Sequence, residues 1–63
     1  MNLALLNMYK KRIRLLIIKR DDLFSILDEV NHFEQVILLQ SIKELTDEIN
    51  INKSYIKELL KWK

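Results

Sequence analysis

The stretch DEVNHFEQV, residues 28–36, decides how this chain folds, because it is the place where two helical patterns meet. The chain contains no glycine and no proline, so the usual turn-forming residues are absent. Asn31 tolerates the left-handed conformation that ends many helices. It also begins Asn-His-Phe-Glu, in which an asparagine cap and a glutamate three residues later can cap each other's amides. We therefore predict a corner at Asn31 and His32.

Heptad repeats of apolar residues flank this corner. Residues 3–30 predict one helix and residues 33–62 a second helix of nearly equal length. The sequence leaves open a further break near residues 50–52, and also a single continuous rod. The first repeat is Leu6, Tyr9, Ile13, Leu16, Arg20, Leu23, Leu27 and Val30, and the second is Leu38, Ile42, Leu45, Ile49, Asn52, Ile56 and Leu59.

More apolar surface is present than one hairpin can cover. The first helix has a wide apolar arc, and the second has an additional stripe made of Phe33, Ile37, Ile51, Tyr55 and Trp62. A 63-residue chain without disulfides rarely stabilises a core alone. The sequence therefore predicts an all-α fold, a single-domain antiparallel hairpin that pairs into a dimeric four-helix bundle. The residues predicted for assembly are Leu16, Leu23, Leu27, Ile42, Leu45, Ile49, Ile56 and Leu59.

This layout is similar to that of the ROP-type RNA-binding dimers and of small viral or plasmid adaptor bundles. These are also helical hairpins of about this length. The resemblance implies self-association and a regulatory or adaptor role, and it concerns layout alone.

Charge is distributed unevenly along the chain. Residues 1–20 hold six basic residues and no acidic one, residues 21–34 hold five acidic residues and no basic one, and the net charge is +2. The basic half of helix one could contact nucleic-acid phosphates, with Lys10, Lys11 and Arg14 sharing its outer face. Arg20 points inward instead, and we expect it to pair with Glu44 across the hairpin.

Chemistry-bearing groups are sparse in this sequence. Cysteine is absent and His32 is the only histidine. Glu29 and His32 have the spacing of a metal-binding pair but lie at the corner, away from other inward carboxylates. We predict no catalytic residue, no metal and no cofactor. No apolar run reaches the roughly 20 residues that a membrane span requires, so a cytoplasmic location is expected and a membrane-surface role is disfavoured.

These features favour a non-enzymatic interaction protein that forms a homodimer and acts as an adaptor, accessory subunit or regulator. Additional contacts to a protein partner are expected at Lys10, Lys11, Arg14, Tyr55 and Trp62. The alternative is a nucleic-acid-binding regulator that uses the basic half of helix one. A hetero-oligomer with a larger subunit fits the same pattern.

Overall fold

A computed structural model describes residues 2–61 and shows two antiparallel helices packed side by side. Helix α1 is Leu3–Ile26, a single 3-10 turn follows at Leu27–Glu29, and helix α2 is His32–Lys61. No strand occurs within residues 2–61. The predicted all-helical hairpin is confirmed. Helix α2 runs unbroken through residues 50–52, and the chain is not one continuous rod.

The corner is built from a narrowed helix end and one extended residue. The α-helical part of helix one stops at Ile26, and its last turn tightens into the 3-10 turn. Such a turn satisfies terminal carbonyl groups that an α-helix leaves without partners. Val30 then adopts φ −111° and ψ 163°, and this extended residue redirects the chain into α2.

Asn31 caps α2 with one half of the reciprocal cap that the sequence predicts, and the corner lies at Val30 and Asn31 because His32 already belongs to α2. The side-chain oxygen of Asn31 accepts a hydrogen bond from the backbone N–H of Glu34 at 2.8 Å. Asn2 does the same at the start of α1, where its side chain accepts from the N–H of Leu5 at 3.0 Å. No residue of the 2–61 segment has a positive φ, so the left-handed option that asparagine offers is not used.

Gln35 stabilises the corner by a hydrogen bond between α2 and the end of helix one. Its side-chain amide donates to the backbone carbonyl of Leu27 at 3.0 Å, so the first turn of α2 is tied to the end of helix one. This bond supplies a partner to one of the carbonyl groups at the helix end. In a hydrophobic staple the residue at position 35 would be apolar and would pack on Val30. Here glutamine stands at that position, and a hydrogen bond stabilises the corner instead.

The core is a thin line between the two helices. In the part of the chain that the structure describes, the buried apolar side chains are Leu6, Leu16, Ile42 and Ile49, and the buried polar residue is Asn52. The radius of gyration is 14.8 Å, whereas a compact chain of this length would have roughly 11 Å. The molecule measures 49 × 14 × 10 Å, so it is one helix layer thick.

We expect Asn31→Ala to lower the free energy of unfolding by about 1 kcal/mol, because the N–H of Glu34 loses its cap. Asn7→Ala is the matched control, since Asn7 is exposed within α1 and alanine suits a helix interior. Urea denaturation followed by circular dichroism, at one fixed protein concentration, measures both. Equal effects of the two substitutions would contradict the capping role of Asn31.

Candidate interaction surface

The residues predicted for assembly lie along the contact between α1 and α2 of one chain. Leu16, Ile42 and Ile49 are buried there, and Ile49 is only 2% exposed. The other members of the set are partly buried: Leu23, Leu27, Leu45, Ile56 and Leu59. Much of their apolar surface is therefore already covered within the hairpin. An interface between two copies would therefore consist mainly of side chains outside this set.

Two contacts define how the helices are aligned. The rings of Tyr9 and Tyr55 lie 5.3 Å apart near the open end, with the Arg12 guanidinium 5.7 Å from the centre of the Tyr9 ring. Near the middle, Arg20 donates to the Thr46 hydroxyl at 3.3 Å. In each pair the two residue numbers add up to about 65, namely 64 for Tyr9 with Tyr55 and 66 for Arg20 with Thr46. Residue n of α1 therefore lies at the same height along the hairpin as residue 65 − n of α2.

Arg20 does not have the carboxylate partner expected from the sequence. Its guanidinium bonds to Thr46, while the Glu44 carboxylate accepts from the Gln40 side chain at 3.4 Å. Arg20 and Glu44 lie at similar positions along the hairpin axis, but the Glu44 side chain projects from α2 away from the contact line. Thr46 also donates to the carbonyl of Ile42, which fixes its hydroxyl beside Arg20.

Two buried polar atoms of the contact line have no hydrogen-bond partner among the described residues. They are Nε of Arg20 and the side-chain oxygen of Asn52. The Asn52 amide nitrogen is satisfied, because it donates to the carbonyl of Glu48 at 2.8 Å. A buried polar atom without a partner costs free energy, so both residues reduce the stability of the hairpin.

Three open grooves mark one broad face of the hairpin. The groove at the open end is lined by residues of both helices, including Leu5 and Tyr55. A groove of about 270 Å³ at the corner is lined by Ile26 of α1 and Ile37 of α2. A third, of about 320 Å³, surrounds Leu15 between Arg12 and Lys19. At 100° per residue these side chains project to the same side of the hairpin, which we call the grooved face.

The grooved face carries large apolar side chains that are not covered. Phe33 is 74% exposed and Leu15 52%. The described members of the stripe predicted on the second helix thus lie on this face, where Tyr55 also contacts Tyr9 of α1. Helix α1 contributes a stripe of its own beside them. By the helical repeat, the exposed apolar residues of this face are Met8, Leu15, Ile26, Phe33, Ile37, Ile51 and Tyr55.

The charges on the grooved face are divided between the helices. Arg12 and Lys19 lie on the α1 side, with Asp22 beside Lys19 in the same stripe as Leu15, and Glu44 and Glu48 lie on the α2 side. Both ion pairs found within residues 2–61, Lys43–Asp47 and Lys61–Glu58, connect residues of α2 to each other. Arg12, Lys19, Glu44 and Glu48 belong to neither pair, so these four charges of the grooved face are not neutralised by a salt bridge within the described chain.

The opposite face has a basic end. Lys10 and Arg14 of α1 share it with Lys53 and Lys57 of α2, and all four are exposed. Lys11 is exposed too but projects from the outer side of α1. The structure thus brings two of the three predicted basic contacts together with two lysines of α2. Among the predicted aromatic contacts, Tyr55 is 47% exposed, and Trp62 lies outside the described residues.

Groupings for metal or membrane chemistry are not seen in the described chain. Residues 2–61 contain no cluster of three histidine or carboxylate side chains that could hold a metal ion. Glu29 and His32 are both exposed at the corner. Neither helix, over the residues described, combines the length and the hydropathy needed to cross a bilayer.

Comparison with protein-family models, with curated proteins and with solved structures finds no match for this chain. Function must therefore be inferred from the surfaces of the hairpin itself. The grooved face is the candidate site, because it combines exposed apolar side chains with divided charge.

We expect Asn52→Leu to raise the free energy of unfolding by about 1–3 kcal/mol, because it removes a buried oxygen without a partner and keeps the number and branching of the side-chain heavy atoms. Asn50→Leu is the matched control on the same helix, where the side chain is exposed and the change should stay within about 0.5 kcal/mol. Thermal and urea unfolding at equal protein concentration compare the two. A destabilised Asn52→Leu variant would mean that the Asn52 oxygen has a partner.

Proposed function

We propose that this chain is a non-enzymatic interaction protein whose hairpins pair into a dimeric four-helix bundle. The dimer then serves as an adaptor, accessory subunit or small regulator for a protein partner. The observation that carries the proposal is the row of exposed apolar side chains on the grooved face. Of the thirteen large apolar side chains in the described chain that are at least 40% exposed, seven lie on this face. Contiguous apolar surface of this kind is typical of interaction sites.

The small core supports assembly for an independent reason. A chain with so few buried side chains obtains little stability from its own packing. Leu15, Ile37 and Ile51 are each about half exposed. Covering the remaining half would add roughly 1 kcal/mol for each side chain. Pairing of two grooved faces thus supplies stability that the single layer lacks.

A partner could dock on the side that pairing leaves free. The opposite face retains Leu3, Phe24 and Leu39, each about half exposed or more. These side chains are scattered among charged residues, as in interfaces that form and dissociate. This surface supports the adaptor role more than it supports further self-association.

Nothing in the described chain supports a catalytic proposal. The three grooves are open and lined largely by apolar side chains. Active sites usually combine a concave pocket with convergent polar groups. Binding is therefore the function we propose.

The double substitution Leu15→Gln with Ile51→Gln should raise the dimer dissociation constant by at least ten-fold, because two apolar side chains leave the interface. The control is Phe24→Gln with Leu39→Gln, which removes two apolar residues of similar exposure on the opposite face. Sedimentation equilibrium measures the mass against the 7.7 kDa of a single chain. A wild-type protein that stays a single chain at high micromolar concentration, with a melting temperature independent of concentration, would overturn the proposal.

The second candidate function is polyanion binding at the basic end of the opposite face. The observation that favours it is the shared position of Lys10, Arg14, Lys53 and Lys57, which joins both helices in one basic surface. Phosphate backbones are bound by such surfaces with strong salt dependence. This site and the dimer face lie on different sides of the hairpin, so the two functions are compatible.

For this candidate, Lys10→Ala, Lys11→Ala and Arg14→Ala together should abolish the gel shift of a short RNA or DNA duplex. They should also reduce the salt dependence by about one unit of slope for each lost phosphate contact. Arg12→Ala with Lys19→Ala serves as the control for lost charge on the grooved face. An equal loss in both variants would indicate unspecific attraction, and no binding by the wild type at low salt would exclude this function.

A further inference from the structure

We infer that the grooved face is occupied by a second copy of this chain, packed so that α1 of one copy lies over α2 of the other. The two-fold axis then runs along the bundle. This inference rests on the proposed function and adds the arrangement of the two copies. It is argued from the size of the face, the alignment of the helices and the distribution of charge.

The size of the grooved face matches what a stable dimer needs. An outline of 49 by 14 Å encloses about 690 Å² in projection, and the accessible area of a corrugated helical surface is larger than its projection. Stable interfaces bury about 800 Å² on each partner. A second copy covers this face from end to end, whereas a single short peptide helix would cover one side of it.

Two symmetric ways of pairing the faces exist. With the axis along the helices, each α1 packs on the α2 of the other copy, and residues at the same height meet. With the axis across the helices, each α1 packs on the other α1 and each α2 on the other α2. Both arrangements bury the same apolar stripes, so apolar area alone does not choose between them.

Charge distinguishes the two arrangements. In the first, Lys19 of one copy is level with residues 45–46 of the other and lies between Glu44 and Glu48. Arg12 lies about one helical turn from the same Glu48. In the second, Arg12 and Lys19 of the two copies share one contact line, and Glu44 and Glu48 share the other. Asp22 is level with residue 43 in the first arrangement and approaches Glu44, which is one unfavourable contact. The contacts of Lys19 and Arg12 with Glu44 and Glu48 outnumber it, and like charges meet along both lines of the second arrangement, so the first is favoured.

The apolar side chains are in register for the same arrangement. Leu15 is level with residue 50 and meets Ile51 of the second copy, and Ile26 is level with residue 39 and meets Ile37. At the open end, Met8 approaches Tyr55 of the second copy. The Tyr9–Tyr55 and Arg20–Thr46 contacts set these heights. The relative position of α1 and α2 within one hairpin therefore also brings the apolar side chains of two hairpins to matching heights.

Disulfide cross-linking tests the arrangement directly, since the natural chain has no cysteine. A mixture of the Leu15→Cys and Ile51→Cys variants should oxidise mainly to the mixed disulfide dimer. Each variant alone should form several-fold less covalent dimer. A mixture of Leu15→Cys and Leu39→Cys is the control, because residue 39 projects from the opposite face. Mass spectrometry identifies the linked peptides.

Charge reversal gives a second readout with opposite signs for the two arrangements. Lys19→Glu should weaken dimerisation several-fold to about ten-fold, because it places a carboxylate between Glu44 and Glu48 in both symmetric contacts. Adding Glu44→Lys and Glu48→Lys should restore the affinity. If α1 packs on α1 instead, Lys19→Glu relieves repulsion with Arg12 and tightens the dimer.

The outcomes separate the arrangement from the proposed function. Two results overturn the arrangement but not self-association. One is a dimeric mass with disulfides that link residue 15 to residue 15, or residue 51 to residue 51. The other is a Lys19→Glu variant that dimerises more tightly than the wild type. A monomeric mass at all concentrations overturns both. A mixed disulfide together with restored affinity in the triple charge variant supports the inference.

Discussion

Two helices share only one line of contact, and this limit governs the rest of the molecule. Each helix can bury one strip of its surface against the other, and the buried side chains of the described chain lie along that strip. Thirteen large apolar side chains of the described residues remain at least 40% exposed on a body one helix layer thick. A sequence that is 49% hydrophobic therefore exceeds what a hairpin of this length can hide. The excess surface is the physical basis of the proposed assembly.

Local features of the sequence predicted local features of the fold. Asn31 and Glu34 are three residues apart, so their capping geometry depends on one helical turn and could be predicted without the rest of the chain. The heptad likewise predicted that Ile42 and Ile49 would be buried. The transition at Ile26 was not predicted, because an α-helical and a 3-10 last turn differ little in energy and in sequence preference.

Contacts between the two helices depend on how far one helix is shifted and rotated relative to the other. The spacing of residues in the sequence does not determine these two quantities, so the contacts were not predicted. Arg20 and Glu44 are close in height, yet the helical repeat turns Glu44 outward and places Thr46 beside the guanidinium. The Tyr9–Tyr55 contact was missed for the same reason, since the two rings belong to different heptad positions. The Phe33 and Ile37 stripe could be recognised in advance. The side of the hairpin that it shares with Leu15 becomes known only when the corner geometry is known.

The polar groups in the contact line specify alignment at the expense of stability. If α2 slid by one turn, Arg20 would lose the Thr46 hydroxyl and face Ile42 or Ile49. A guanidinium placed against aliphatic side chains is costly, so such a slip is penalised more than in a purely apolar line. Because the same heights position Leu15 and Ile51, misaligned hairpins would also lose the match on the grooved face. In the proposed dimer, the half-buried Arg20 thus controls the alignment inside each copy and between the copies. Since pairing stabilises the folded chain by mass action, the folded fraction of this protein then depends on its own concentration.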